Sequence, residues 1–203
     1  MRLRYSGSIN HPLLISYLGY PGSGKTYFSK QLASKLNAVT FNTDALRLSV
    51  FGSQERIDHV RLEDRTRIYE DIFGAMNYAT KQTLLAGHSV IYDAQMTKRE
   101  DRINIVQLAE SAEALPLLVW VRTSRETALR RGQEREPGDD SIRYTAEKTA
   151  YLIDRFDDIT DLPEANENLI EISGEVDFEE QYASFLEQLK RYSEEEVRVV
   201  SVM

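Results

Sequence analysis

Leu13-Leu14-Ile15-Ser16-Tyr17-Leu18-Gly19-Tyr20-Pro21-Gly22-Ser23-Gly24-Lys25-Thr26 decides how the rest of the chain is read. The first six residues form a short apolar run stopped by glycine, the pattern of a strand buried on both faces. Gly19 to Thr26 match G-x-x-x-x-G-K-[ST] at every fixed position. Lys25 to Leu36 then set Phe28, Leu32 and Leu36 on one helical face. In a strand–loop–helix setting the glycines let backbone N–H groups turn inward around a phosphate, and the helix N-terminus adds its positive dipole end. Lys25 is placed to reach the β- and γ-phosphates of a nucleotide, and the Thr26 hydroxyl to ligate Mg²⁺. The expected nucleotide contacts are Gly22, Ser23, Gly24, Lys25, Thr26 and Tyr27, with ATP and Mg²⁺ as the cofactors.

Outward from this loop, apolar runs alternate with helical patterns. Further strands are expected at Ala38–Phe41, Val90–Tyr92, Leu115–Val121 and Asn168–Ile172. One long helix is expected between Asp58 and Ala86, because Ile68, Ile72, Met76 and Ala79 recur at three- and four-residue steps, with Gly87 capping its end. Thr97 with Glu100, and Thr123 with Glu126, read as capping boxes opening helices to about Ser111 and Glu134. Two more helices are expected at about Arg143–Asp157 and Asp177–Arg191. Strands alternating with helices imply right-handed crossovers. The expected fold class is therefore α/β: a three-layer sandwich of the P-loop NTPase type, with a five-stranded, mostly parallel sheet and helices on both faces. Residues 1–203 read as one domain, with an arginine-rich lid at about 124–142 and an acidic helix and tail at 174–203.

The composition of the 203 residues excludes several other readings. Cysteine is absent, which removes disulfides, thiolate metal sites and cysteine nucleophiles. His11, His59 and His88 have no ligand spacing. No apolar stretch is long enough for a membrane helix or a signal-peptide core, so a cytoplasmic location is expected. The net charge is −8, and −5 of it falls in residues 174–203. Bulk charge therefore argues against a chain that coats nucleic acid, but not against a nucleic-acid end held in a local basic cleft.

The remaining candidates are carboxylates and arginines near the ends of expected strands. Asp44 follows the second strand. It is placed there to take a proton from an attacking hydroxyl, with Arg47 one helical turn away to neutralise the transferring group or hold the acceptor. The same spacing also suits an ordinary short helix capped by Thr43 or Asp44. Asp93 closes the third strand, where an acid can hold Mg²⁺ through water, hold an acceptor, or cap a turn. Arg122, Arg125, Arg130, Arg131 and Arg135 crowd the segment before Pro137-Gly138-Asp139-Asp140, as in a lid that closes over phosphates and excludes water. Arg131 and Arg135 sit one turn apart, and the spacing does not choose among Arg130, Arg131 and Arg135 as the phosphate-contacting residue.

From about Leu13 to Phe156 the chain resembles the P-loop kinases of the polynucleotide-kinase and zeta-toxin type. The phosphate loop, Asn42-Thr43-Asp44-Ala45-Leu46-Arg47, Val90-Ile91-Tyr92-Asp93-Ala94 and Leu117-Leu118-Val119-Trp120-Val121 with its arginine-rich helix carry the likeness. The resemblance implies transfer of the ATP γ-phosphate to a hydroxyl, with Mg²⁺. It implies Asp44 as general base, Arg47 as its partner, Asp93 as an acceptor-side acid, and Arg131 or Arg135 as the lid arginine. Asp93-Ala94-Gln95-Met96 stands where nucleoside monophosphate kinases carry an Asp-Gly-Phe-Pro-Arg-like run. The acceptor stays open between a polynucleotide 5′-hydroxyl and a small molecule. A nucleoside monophosphate kinase, and an ATP-binding or ATP-hydrolysing switch without an acceptor, are the competing readings.

Overall fold

The computed structural model describes residues 11–134, 142 and 144–200. Five strands form one parallel sheet: β1 (Leu13–Leu18), β2 (Val39–Asn42), β3 (Val90–Gln95), β4 (Leu115–Arg122) and β5 (Leu169–Ser173), in the spatial order β2-β3-β1-β4-β5. The expected α/β architecture is thus observed, with all strands parallel. β1 is buried along its whole length because both sheet faces are covered. Successive residues point to opposite faces. Leu13, Ile15 and Tyr17 join Phe28, Leu32, Phe178 and Phe185 on one side, while Leu14 and Leu18 join Met76, Leu84, Ile105 and Phe156 on the other.

The first side is covered by α1 (Lys25–Leu36) and α8 (Phe178–Val200). The second is covered by α4 (Arg65–Leu85), α5 (Arg99–Glu110) and the Phe156 ring of α7 (Ala146–Ile159). Three shorter helices, α2 (Thr43–Phe51), α3 (Gln54–Glu63) and α6 (Arg125–Glu134), stand at the C-terminal edge of the sheet or beyond it. Among the described residues no helix is long and apolar enough to cross a membrane.

Several boundaries differ from the sequence expectation. The long helix is two helices, because Asp64 leaves helical geometry at φ −150°, ψ 85°. Glu63 and Asp64 are exposed and bury nothing that could carry one rod through, and α3 buries Ile57 alone. Ile68, Ile72 and Met76 do face the core from α4, and Gly87, at φ +83°, ends that segment as expected. Neither expected capping box forms. α5 starts at Arg99, with Lys98 at the cap position, and the Arg99 N–H is taken by Asp161, 62 residues away. α6 is capped by Ser124, whose Oγ accepts from Thr127 N at 3.3 Å. Thr123 instead donates to Ser23 O in the glycine loop at 2.9 Å. Thr145 caps α7, and Arg143 lies outside the described residues. β3 runs on to Gln95, so Asp93 lies inside the strand rather than closing it. β2 is not a neighbour of β1, since β3 lies between them.

Candidate active site

A cavity of about 1130 Å³ opens at the C-terminal edge of the sheet, where open parallel sheets gather their ligands. The glycine loop forms one wall. Gly19, Gly22 and Gly24 have φ of +144°, +84° and +100°, a backbone that L side chains rarely adopt. Gly24 is the N-cap of α1, so no side chain caps the helix, and its first turn holds no acid. The first-turn N–H groups of α1 are therefore left for an anion. Lys25 Nζ lies along the loop, donating to Gly19 O at 2.8 Å and Tyr20 O at 2.7 Å.

The loop is packed from outside as well. A Cβ on Gly22 would meet Ala128 O of α6 at 2.2 Å, and one on Gly174 would meet Ser23 O at 2.4 Å. A Cβ on Gly24 would meet nothing within 4 Å. Tyr20 stacks obliquely on Phe156 and donates its hydroxyl to Asp157 at 2.6 Å, tying the loop to α7. Burial, followed by that hydrogen bond, pushes the Tyr20 hydroxyl up to about 12, so it stays a donor.

Beside the loop, Asp93 is 6% exposed. Its Oδ2 accepts from Asn42 Nδ2 at 2.7 Å and from Ser29 Oγ at 3.4 Å. Burial pushes its carboxyl up, opposed by the Asn42 hydrogen bond, the Lys25 charge and the Thr26 hydroxyl. The Mg²⁺ that this fold implies fits here. Thr26 and Asp93 offer hard oxygen donors on one side of the phosphate loop. Among the described residues no group of three or more His, Cys, Asp or Glu side chains could hold a metal ion.

Across the cavity, Asp44 and Arg47 form an ion pair on α2, with Arg47 Nη1 2.9 Å from Asp44 Oδ1. The helix exists because Asn42, not Thr43 or Asp44, caps it. Arg47 is 7% exposed, its guanidinium lies 5.6 Å from the Tyr69 ring centroid, and its Nε is buried without a hydrogen-bond partner. The fold therefore buries Arg47 against the cavity wall and out of bulk solvent. Tyr144 also lines this part of the cavity, and burial, then the Asp44 charge, pushes its hydroxyl up.

The structure brings Gly22, Gly24, Lys25, Thr26, Tyr27, Asp44, Arg47, Asp93 and Arg131 to one cavity. Ser23 is buried behind the loop with its hydroxyl unpartnered. Arg131 donates to Gly174 O at 2.6 Å. Arg122 pairs with Glu171 at 3.5 Å and Arg130 with Glu134 at 3.6 Å, and Arg125 pairs with Asp154. Arg135 and Pro137-Gly138-Asp139-Asp140 lie outside the described residues. Sequence reasoning missed roles for Asn42 and Tyr144. An Asn at a strand end before a helix is a capping signal, whereas nothing local marks Tyr144.

The fold is shared with several solved structures. A gluconokinase from Sinorhizobium meliloti is 19% identical with a TM-score of 0.61, covering 91% of this chain and 95% of its own. A Mycobacterium tuberculosis APS kinase in complex with AMPPNP and APS is 16% identical with a TM-score of 0.58, over 89% and 98%. Chaetomium thermophilum Kti12 in complex with ADP-AlF3 is 21% identical with a TM-score of 0.65, over 88% and 98%. No curated protein matches in sequence. The family model of the AAA domain matches residues 14–159, a span that holds the glycine loop, Asp44, Arg47 and Asp93, and the chain belongs to that family.

Proposed function

We propose that the chain is an ATP-dependent phosphotransferase acting on a small hydroxyl-bearing acceptor. The observation that carries this reading is the Asp44–Arg47 pair facing the same cavity as the phosphate loop. A protein that only binds ATP has no use for a carboxylate there, whereas one that hydrolyses it would use the same group to activate water, and labelled product separates the two. The glycine loop and Lys25 bind and orient the triphosphate. Thr26 and Asp93 would hold Mg²⁺, which when bound would neutralise charge on the transferring phosphates. Arg47 engages Asp44 Oδ1, which leaves Oδ2 to accept from the acceptor hydroxyl. The hydroxyl proton passes to Asp44, the acceptor oxygen bonds to the γ-phosphorus, and the bond from that phosphorus to the β–γ bridging oxygen breaks. Positioning and charge, rather than covalent catalysis, supply most of the acceleration.

The cavity wall beyond Asp44 supports the small-molecule acceptor. It presents the amides of Asn77, Gln95 and Asn104, the stacked Tyr69–Phe73 pair and the carboxylates of Glu70 and Asp101. Arg122 at the end of β4 and the three arginines of α6 are engaged by protein acceptors. They do not form the charged channel that tracks an oligonucleotide backbone.

γ-Labelled ATP offered to sugars, other small alcohols, nucleosides, nucleotide sugars and 5′-hydroxyl oligonucleotides tests the reading. Label is expected on a small alcohol. Label on oligonucleotides, with steep salt dependence, restores the polynucleotide acceptor, and release of free phosphate alone favours the switch. In the same assay Asp44→Asn is expected to keep ATP affinity and to slow transfer by about 10²–10⁴-fold. Transfer at the parent rate would sink the general-base role.

A further inference from the structure

Asn42 is the last residue of β2 and stands in register with Asp93 on the parallel neighbour β3. Its backbone is extended, at φ −114°, ψ 129°, and the next residue begins α2. The side chain spends both ends of its amide. Oδ1 accepts from Asp44 N and Ala45 N, each at 2.9 Å, and Nδ2 donates to Asp93 Oδ2 at 2.7 Å. The amide cannot be turned over, because backbone N–H groups only donate and an ionised carboxylate only accepts. One side chain therefore fixes the start of the helix that carries Asp44 and Arg47 and also holds the carboxylate beside Thr26.

We infer that Asn42 is a positioning residue that acts through Asp93. By holding Oδ2 it aims the other carboxylate oxygen at the hydration shell of the metal–nucleotide complex, and it fixes the offset between that carboxylate and Asp44. A hydrogen bond to a carboxylate in the outer coordination sphere is worth about 10–100-fold in metal affinity. The inference rests on the nucleotide and metal part of the proposed function, but not on phosphoryl transfer.

Capping and coupling can be separated by substitution. Asn42→Ser keeps a good N-cap oxygen for α2 but is too short to bond Asp93. Asn42→Thr does the same in a form suited to a strand end. ATP affinity is measured by calorimetry with and without Mg²⁺, alongside a melting curve for each variant. The parent is expected to bind ATP more tightly with Mg²⁺. In Asn42→Ser that gain is expected to shrink about tenfold, while metal-free ATP affinity stays near the parent value and the melting temperature falls by a few degrees, because the buried Asp93 loses a donor. In an Asp93→Asn background the same Ser substitution is expected to change the gain by less than twofold. A cap alone predicts that the Ser and Thr variants match the parent in every measurement, and that result overturns the inference. So does an undiminished Ser effect in the Asp93→Asn background. A parent with no Mg²⁺-dependent gain would instead overturn the metal reading of the site, and the inference with it.

Discussion

Two arginines are buried to a similar degree, and the fold treats them in opposite ways. Arg102, on α5, is 3% exposed and saturated. Its Nε and Nη2 donate to Glu167 at 2.6 and 2.9 Å, Nη1 reaches Met96 O at 3.3 Å, and Nη2 reaches Leu162 O at 3.4 Å. Among the described residues Arg47 makes one ion pair, rests beside an aromatic ring, and leaves Nε buried without a partner. Burying a guanidinium costs free energy unless its donors are met. Arg102 meets that condition within the protein and staples α5 to the loop before β5. Among the described residues Arg47 does not, and the ligand contact proposed for it would supply the missing acceptor.

The largest expected break in this contrast is Arg102→Met. Removing one partner of a buried pair strands Glu167, and a loss of about 3 kcal/mol in denaturant unfolding is expected, with any surviving folded protein still binding ATP. Arg47→Met should reverse the pattern. Unfolding free energy is expected to shift by less than about 1 kcal/mol, because Asp44 lines the cavity and can be solvated. Phosphoryl transfer is expected to fall about a hundredfold, read by initial rates with labelled ATP. Equal losses of stability in the two variants would erase the distinction.

The smallest effect is in pH. Burial alone would raise the Glu167 carboxyl, but the Arg102 hydrogen bonds and the Glu164 N–H outweigh it and hold it below the ordinary value of 4.5. A lowered folded value means the contribution is complete above pH 4.5 and is lost as pH falls through the folded value. Thermal melts of Glu167→Gln between pH 3 and 6 should therefore show a shallower acid slope than the parent. Parallel slopes would mean that the staple does not depend on charge.

The saturated arginine was invisible in the sequence and the unsaturated one was not, for a physical reason. Arg47 sits three residues from Asp44, and its partner could be read from helical spacing. Arg102 finds Glu167 across 65 residues, and nothing local announces that contact. The same rule covers the rest. The phosphate loop and the strands were legible because their signals are contiguous. The caps of α5 and α6 were misplaced because Asp161 comes from afar and Ser124 lies one residue beyond the expected Thr123. The adjacency that brings Asp93 to Asn42 depends on strand order, which periodicity does not encode.

Two of the loop glycines are held in place by different constraints. Gly22 is held by a neighbouring backbone carbonyl as much as by any phosphate, whereas Gly24 meets no neighbour and is held by its φ of +100° and by whatever binds in front of it. In a descendant that stopped binding nucleotides, Gly22 would persist because packing still demands it. Gly24 would be free to drift at a cost of about 1–2 kcal/mol of backbone strain. Gly24, more than the motif as a whole, is the residue by which lineages that still use this loop can be told from those that have only inherited its shape.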